Sequence, residues 1–196
     1  MRHIKISMIA LLALALLTGS SSAAEARSVK EQERLLLVLL NAHEYRPNRK
    51  LLDRVGKQVN QLLVRISTYR HMRARVRLRA LASLAVYPSH RTKQYLLSLF
   101  HERSLKKNAV GLLIRRQAIR SAALAFKDGV INDILTLKSD GDAQIREAVA
   151  HGLGDTLSTL ALPHLRAWLP NERELFVRMA IEKAIKRIKH APKERK

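Results

Sequence analysis

A short phrase, an aliphatic residue followed by arginine, recurs along the chain at a nearly constant spacing. The separations between successive copies are 38, 31 and 32 residues. Repetition at such a period indicates a stack of similar helical units rather than a fold built around one central sheet. The four copies are Val76-Arg77, Ile114-Arg115, Ile145-Arg146 and Val177-Arg178.

Helix-forming patterns cover almost the whole chain after residue 27. Residues 73–79 alternate arginine with apolar residues as a strand would, but the segment continues into Ala80, Leu81 and Leu84 with helical spacing. Aromatic residues make up only 4% of the chain, and seven Gly and five Pro are few for 196 residues. This composition disfavours β-sandwiches and barrels, so the sequence predicts an all-α fold.

Helix boundaries are predicted from capping residues and from Pro and Gly. Ser28 with Glu31 forms a capping box, and Asn108, Asp128, Asp142 and Asn171 are candidate N-caps, whereas Gly154 is a candidate helix stop. The predicted helices cover residues 28–46, 51–66, 69–86, 89–101, 109–126, 129–138, 142–153, 159–169 and 171–189.

The most regular copy of the repeat is the segment of residues 142–154, Asp-Ala-Gln-Ile-Arg-Glu-Ala-Val-Ala-His-Gly-Leu-Gly. This segment closely resembles the second helix of a short HEAT repeat, of the kind also found in phycobilisome-lyase-like proteins. The resemblance covers residues 48–189 and is closest over the last two units. It implies an α-solenoid of about four HEAT-like helical hairpins, preceded by an N-terminal capping helix at residues 28–46.

The arginine of the repeated phrase has an expected structural partner. In the HEAT-like family it typically meets an acidic residue of its own or a neighbouring unit. Asp142 lies four residues before Arg146, and Glu174 lies four residues before Arg178, so both arginines have a candidate carboxylate on their own helix as well as across units. The first two copies have no acid at that position and are predicted to lack the carboxylate.

The chain is strongly basic, with 37 Lys or Arg and 16 Asp or Glu. Residues 65–120 contain 14 basic residues and a single acid, Glu102, whereas residues 121–170 contain four basic and six acidic residues. Like charges at this density repel each other, so an acidic partner would relieve them. The alternative is a solvated basic face that only keeps the protein soluble, in which case the acidic stretch of residues 128–155 is the better candidate surface.

Seven arginines of the basic stretch form the predicted binding surface. Guanidinium groups suit two-point recognition of carboxylate or phosphate better than ammonium groups do. Helices of adjacent units would bring several of them together, although one helix cannot direct all of its arginines the same way. The predicted set is Arg73, Arg75, Arg77, Arg79, Arg115, Arg116 and Arg120.

The sequence contains no motif of enzymatic chemistry. It has no Cys, and it lacks a Gly-rich phosphate loop, His-Glu-x-x-His and Gly-x-Ser-x-Gly. The dipeptides His43-Glu44 and His101-Glu102 are similar to the iron ligands of helical-repeat hydroxylases, but neither follows the repeat arginine where that family's dipeptides would fall. We therefore predict no catalytic residue, metal or cofactor, and no enzymatic activity.

The first residues have the order of a secretory signal peptide. Arg2 and Lys5 precede an apolar stretch over residues 6–17, and small residues follow, with cleavage triplets that end at Ala24 and Ala26. The apolar stretch falls short of the ~20 residues that span a bilayer, and a retained anchor is the alternative. The sequence thus predicts a signal peptide at residues 1–24, export across the inner membrane to the periplasm, and a frayed basic tail at residues 190–196.

Together these features predict an exported, non-enzymatic binding or scaffold protein that engages an acidic protein partner through its arginine-rich surface. Two alternatives stay open. One is a protein that binds an envelope polyanion, either lipid phosphate or acidic polysaccharide. The other is an accessory factor or a metal-dependent helical-repeat enzyme, because fold alone does not fix function. Export disfavours intracellular nucleic acid as a partner.

The signal peptide leads to a first prediction. Protein purified from its native host should have an N-terminus near Glu25 or Arg27, because the cleavage triplets end just before these residues. Intact-mass spectrometry measures this directly. An intact Met1 in the membrane fraction would contradict cleavage.

Overall fold

The computed structural model describes residues 27–191. The predicted signal peptide and residues 192–196 of the predicted tail lie outside the described residues. Every regular element in the described range is helical, which confirms the predicted all-α class. Within the same range, no helix combines the length and the hydrophobicity needed to span a bilayer. The chain divides after Tyr87 into two compact units, so the predicted repeat domain of residues 48–189 includes parts of both.

Unit 1, described from residue 27 to Tyr87, is built from four α-helices. Ser28 and Asn48 begin the first two, and each side-chain oxygen accepts the backbone N–H three residues ahead. The third and fourth helices pack against each other, and the first contacts both. Leu36, Leu63 and Leu81 are fully buried in this core. The helices are α1 (Val29–Asn41), α2 (Arg49–Asp53), α3 (Val59–Thr68) and α4 (Ala74–Leu84).

The single helix predicted over residues 51–66 is wrong, because the chain breaks between α2 and α3 at Gly56, which has φ +154°. The buried side chain of Gln32 on α1 fills the space beside this glycine, and its Oε1 accepts the backbone N–H of Gln58 at 3.1 Å. A Cβ on residue 56 would lie 2.2 Å from Cδ of Gln32, so the site requires glycine. The apolar pattern continues through the break because α2 and α3 both contribute buried residues to the core.

Unit 2, described from Pro88 to residue 191, contains six α-helices and three short 3₁₀ turns. The second of its α-helices packs against the first and the fourth, and the fourth also packs against the last. The α-helices are α5 (His90–His101), α6 (Ala109–Phe126), α7 (Ile131–Leu135), α8 (Ala143–Asp155), α9 (Ala161–Trp168) and α10 (Leu175–Lys189). The 3₁₀ turns are Arg103–Lys107, Lys127–Val130 and Leu169–Asn171.

The predicted caps of unit 2 are confirmed in part. Asn108 and Asp142 cap α6 and α8, and each side-chain oxygen accepts a backbone N–H from the first turn. Asn171 is not a cap, because a 3₁₀ turn continues from α9 to that residue and α10 begins only after Glu174. Gly154 does not stop a helix, because it lies inside α8.

Glycine has a packing role in α8, since it allows a neighbouring helix to approach on each side. A Cβ on Gly152 would lie 2.9 Å from Cγ2 of Ile119 on α6. A Cβ on Gly154 would lie 2.9 Å from Cβ and 3.0 Å from Cα of Ala184 on α10. Both separations are shorter than a normal carbon–carbon contact, so the two glycines set how closely the three helices pack.

This packing leads to a second prediction. Leucine at position 154 should lower the free energy of unfolding by about 1–3 kcal/mol, because the α10 backbone at Ala184 leaves no room for the added carbons. The matched control is Gly141→Leu, at an exposed loop position where an added Cβ meets no atom within 4 Å. Equal unfolding midpoints for the two variants in a urea titration would contradict the close contact.

Candidate binding surface

Two of the seven predicted binding arginines, Arg77 and Arg115, are buried. Nε of Arg77 donates to the carbonyl of Ser67, and Nε of Arg115 donates to the carbonyl of Phe100, both at 3.0 Å. Each carbonyl lies in the last turn of the preceding helix, where the helix supplies no donor of its own. These two guanidinium groups therefore join helices in the interior, and neither forms part of an exposed surface.

Three further predicted arginines belong to unit 1 and lie on α4 or at its start. Arg79 donates to three backbone carbonyls at the C-terminal end of α1, at distances between 2.5 and 3.1 Å. Its guanidinium carbon also lies 5.7 Å from the ring centroid of Tyr45. Because the last turn of α1 has no basic residue, Arg79 supplies the positive charge that this helix end favours. Arg73 and Arg75 are exposed.

Arg115 and Arg146 each connect a helix to the loop that precedes a later helix. Nη2 of Arg115 lies 2.7 Å from Oδ2 of Asp140, and Nε and Nη2 of Arg146 each lie 2.9 Å from one carboxylate oxygen of Glu172. In both loops the acid precedes the helix N-cap by two residues and also accepts the N-cap backbone N–H at 3.0 Å. We refer to these two contacts as the Arg115 bridge and the Arg146 bridge.

These bridges correct one expectation about the repeat arginines and decide between two alternatives for another. Arg115 has a carboxylate although none precedes it on its helix, because the partner comes from the loop that follows α7. Arg146 pairs with Glu172 across units rather than with Asp142 on its own helix, since the Asp142 side chain caps α8. Arg178, the last copy, makes no ion pair and no side-chain hydrogen bond among residues 27–191.

The bridges lower the pKa of both of their acids. The hydrogen bond from Arg146, together with backbone N–H groups, holds the pKa of Glu172 at about 2. Burial alone would raise the pKa of Asp140, but the hydrogen bonds from Arg115 and from the Asp142 backbone outweigh it and lower the pKa. Both acids are therefore charged at neutral pH and neutralise the guanidinium groups beside them.

The remaining two predicted arginines, Arg116 and Arg120, belong to a charged surface that crosses α6, α8 and α10. Arg116 donates to Oε2 of Glu147 at 2.8 Å and to Oε1 of Gln144 at 3.0 Å. Nε2 of His151 lies 3.7 Å from the other oxygen of Glu147. This half of the surface thus joins α6 to α8 through a carboxylate with a basic group on each side.

The other half of the surface is centred on Asp155, whose side chain is only 1% exposed. Nε of Arg120 on α6 lies 3.0 Å from one of its oxygens, and Nη1 of Arg187 on α10 pairs with the other. The two arginine side chains remain 51% and 49% exposed. We name the whole set, which is Arg116, Arg120, Glu147, His151, Asp155 and Arg187, the three-helix surface.

The three-helix surface contains a histidine, His151, whose ordinary pKa of 6.5 is close to neutral pH. Burial lowers its pKa, Arg120 and Lys183 lower it further, and the carboxylates of Glu147 and Asp155 oppose the shift. His151 is therefore mainly neutral at pH 7, and the positive charge of the surface comes from its arginines, while Lys183 on α10 lies close enough to act on His151.

The sequence prediction included only two members of the three-helix surface. Three of the missed residues, Glu147, Asp155 and Arg187, form pairs that span one repeat period, since Arg116 and Glu147 are 31 residues apart and Asp155 and Arg187 are 32 residues apart. Comparing equivalent positions in successive copies would have found these pairs, because stacked units place such positions side by side.

The described part of the chain contains no group of three or more His, Asp or Glu side chains arranged to hold a metal ion. Nε2 of His101, one of the two His-Glu histidines, lies instead 3.4 Å from the hydroxyl of Thr136.

Comparison with known proteins finds no matching family model and no matching curated protein.

The Arg146 bridge leads to a third prediction, on pH dependence. The folded pKa of Glu172, about 2, is below its ordinary value of 4.5, so the stabilisation is complete above pH 4.5 and is lost as the pH falls toward 2. We expect Glu172→Gln to lower the free energy of unfolding at pH 7 by an amount on the order of 3 kcal/mol. In this variant, the free energy of unfolding should also fall less steeply between pH 4.5 and pH 2. Urea titrations at several pH values measure both effects.

The control for this experiment is Glu182→Gln, because Glu182 is exposed and makes no ion pair among the described residues. This variant should retain the stability and the pH profile of the unmodified protein. If Glu172→Gln and Glu182→Gln give the same profile, the bridge does not contribute to stability.

Proposed function

We propose that this chain is an exported α-solenoid of HEAT-like hairpins that binds an acidic protein partner and has no enzymatic activity. Support for the solenoid comes from the packing of α8 against both α6 and α10, with contacts that recur at 31 and 32 residues. The aliphatic residue of the repeated phrase is buried in all four copies, as stacked units require. The proposed export rests on the signal-peptide pattern at residues 1–24.

The observation that carries the proposal is the sharing of one buried carboxylate, Asp155, by two half-exposed guanidinium groups. Arg120 uses Nε and Arg187 uses Nη1, so the other nitrogens of both side chains have no partner within residues 27–191. Two cations held by one anion leave a net positive charge. Because Asp155 fixes both guanidinium groups in place, a partner's carboxylate would bind them at a reduced cost in side-chain entropy.

The mixed charge of the three-helix surface favours a protein as the partner. Glu147 lies among the arginines, and the Asp155 carboxylate lies between two of them. A uniform polyanion, such as an acidic polysaccharide or an anionic lipid surface, would meet the partly exposed carboxylate of Glu147 as well as the cations. A folded acidic protein can instead place its carboxylates opposite the arginines and polar groups opposite Glu147.

A fourth prediction tests this function by capture from an envelope extract. The bait variant Arg120→Gln/Lys183→Gln removes one positive charge from the three-helix surface and a second from Lys183 beside it, whose charge acts on His151, and it leaves the Asp155–Arg187 pair intact. It should lose the acidic proteins that the unmodified chain retains, and binding of a purified captured protein should weaken about tenfold. The same binding should fall steeply between low and physiological salt.

The control is Arg166→Gln/Arg173→Gln, which removes the same charge from two exposed arginines of unit 2 outside the three-helix surface. It should retain the captured proteins. Identical capture by the three baits would contradict the proposal. Direct binding of heparin or of phosphatidylglycerol vesicles, without a captured acidic protein, would instead favour the polyanion alternative.

A further inference from the structure

Arg178 on α10 occupies the same structural position as Arg146 on α8. Each arginine lies four residues after the N-cap of its helix, Asp142 or Glu174, and each follows a fully buried aliphatic residue. The side chains of the two arginines, however, differ in their contacts. Arg146 reaches Glu172 with two hydrogen bonds, whereas Arg178 is exposed and has no hydrogen bond or ion pair among residues 27–191.

The difference follows from where the carboxylates come from. The acids of both bridges, Asp140 and Glu172, lie in a loop immediately before a later helix. No such loop follows α10 in the described residues. Arg178 is thus a guanidinium group at a position where two earlier copies bind a carboxylate.

Two exposed apolar side chains lie beside Arg178 on α10. Leu175 and Met179 are 66% and 60% exposed, and they lie on the first two turns of α10 next to Arg178. Exposed leucine and methionine beside an unpaired arginine offer a partner both apolar contact and a charge-assisted hydrogen bond.

The second half of α10 limits the size of a partner that can pack beside Arg178. At the positions where α8 has Ala150 and Gly154, which are buried, α10 has the exposed charged residues Glu182 and Lys186. Such a polar face is typical of a terminal unit and opposes the stacking of another full hairpin. The open surface is therefore short, and a single loop or strand of polypeptide matches its length.

We propose that Leu175, Arg178 and Met179 form a docking surface for a short acidic segment of a partner polypeptide. In this arrangement, a partner carboxylate binds Arg178 as Glu172 binds Arg146, and a neighbouring apolar side chain packs on Leu175 and Met179. Arg178 and Arg187 are nine residues apart, about two and a half turns, so they lie on opposite sides of α10. This surface is therefore separate from the three-helix surface and does not depend on the function proposed for it.

The test uses the segment of this chain that already satisfies an equivalent arginine. The probe is a synthetic peptide of residues 168–176, Trp-Leu-Pro-Asn-Glu-Arg-Glu-Leu-Phe, which contains Glu172. The full chain is labelled at its methionine methyl groups, and binding is followed by NMR. Met179 reports on the docking surface, and Met72 in unit 1 is the internal control.

The Met179 signal should shift in a saturable way while the Met72 signal stays unchanged. Arg178→Gln in the chain, or Glu172→Gln in the peptide, should each weaken binding about five- to tenfold. Arg173→Gln, at another exposed arginine, should bind as the unmodified chain does. The thermal unfolding of Arg178→Gln should match that of the unmodified chain, because Arg178 has no partner to lose, whereas Arg146→Gln should unfold at a lower temperature.

Three outcomes would overturn the inference. The first is no shift of the Met179 signal at millimolar peptide. The second is equal binding of the peptide by the unmodified chain and Arg178→Gln. The third is a drop in unfolding temperature for Arg178→Gln as large as that for Arg146→Gln, since Arg178 would then already have a partner within its own chain. None of these outcomes bears on capture by the three-helix surface.

Discussion

The architecture of unit 2 depends on the close approach of α8 to a helix on each side. Gly152 allows contact with Ile119, and Gly154 allows contact with Ala184. At this separation the charged side chains along α6, α8 and α10 can reach one another, so Arg120 and Arg187 meet the same carboxylate of Asp155. The candidate binding surface is therefore a consequence of helix packing, and a wider spacing would separate the charges that define it.

Two groups of arginines in this chain differ in what surrounds them. Arg77, Arg115 and Arg79 bind backbone carbonyls near helix ends, where the unpaired carbonyl groups favour a cation. Arg120 and Arg187 pair with an acid but remain half exposed. Sequence composition alone does not separate the two groups, because arginine is usually exposed and its burial depends on tertiary partners.

Local chemistry explains which features could be predicted from the sequence. The sequence correctly predicts Ser28, Asn108 and Asp142 as N-caps because a cap depends on residues within one helical turn. The helical class followed from periodicity and composition. The sequence does not separate a helix stop from a packing glycine at Gly154, because glycine serves both at helix ends and at close contacts between helices, and only the neighbouring helix distinguishes the two. The acids of the bridges were missed because a later loop supplies them.

Both arginine bridges of unit 2 join an arginine to an acid that comes later in the chain. Arg115 and Arg146 each reach forward to a carboxylate that lies 25 or 26 residues later in the chain, and neither uses an acid that precedes it. A buried guanidinium without its carboxylate is costly, so each segment reaches full stability only when the next one is in place. During synthesis, the loop that carries the acid would have to leave the ribosome before the helix that carries the arginine could reach its full stability. Truncation from the C-terminal side would therefore leave an uncompensated charge in the part that remains.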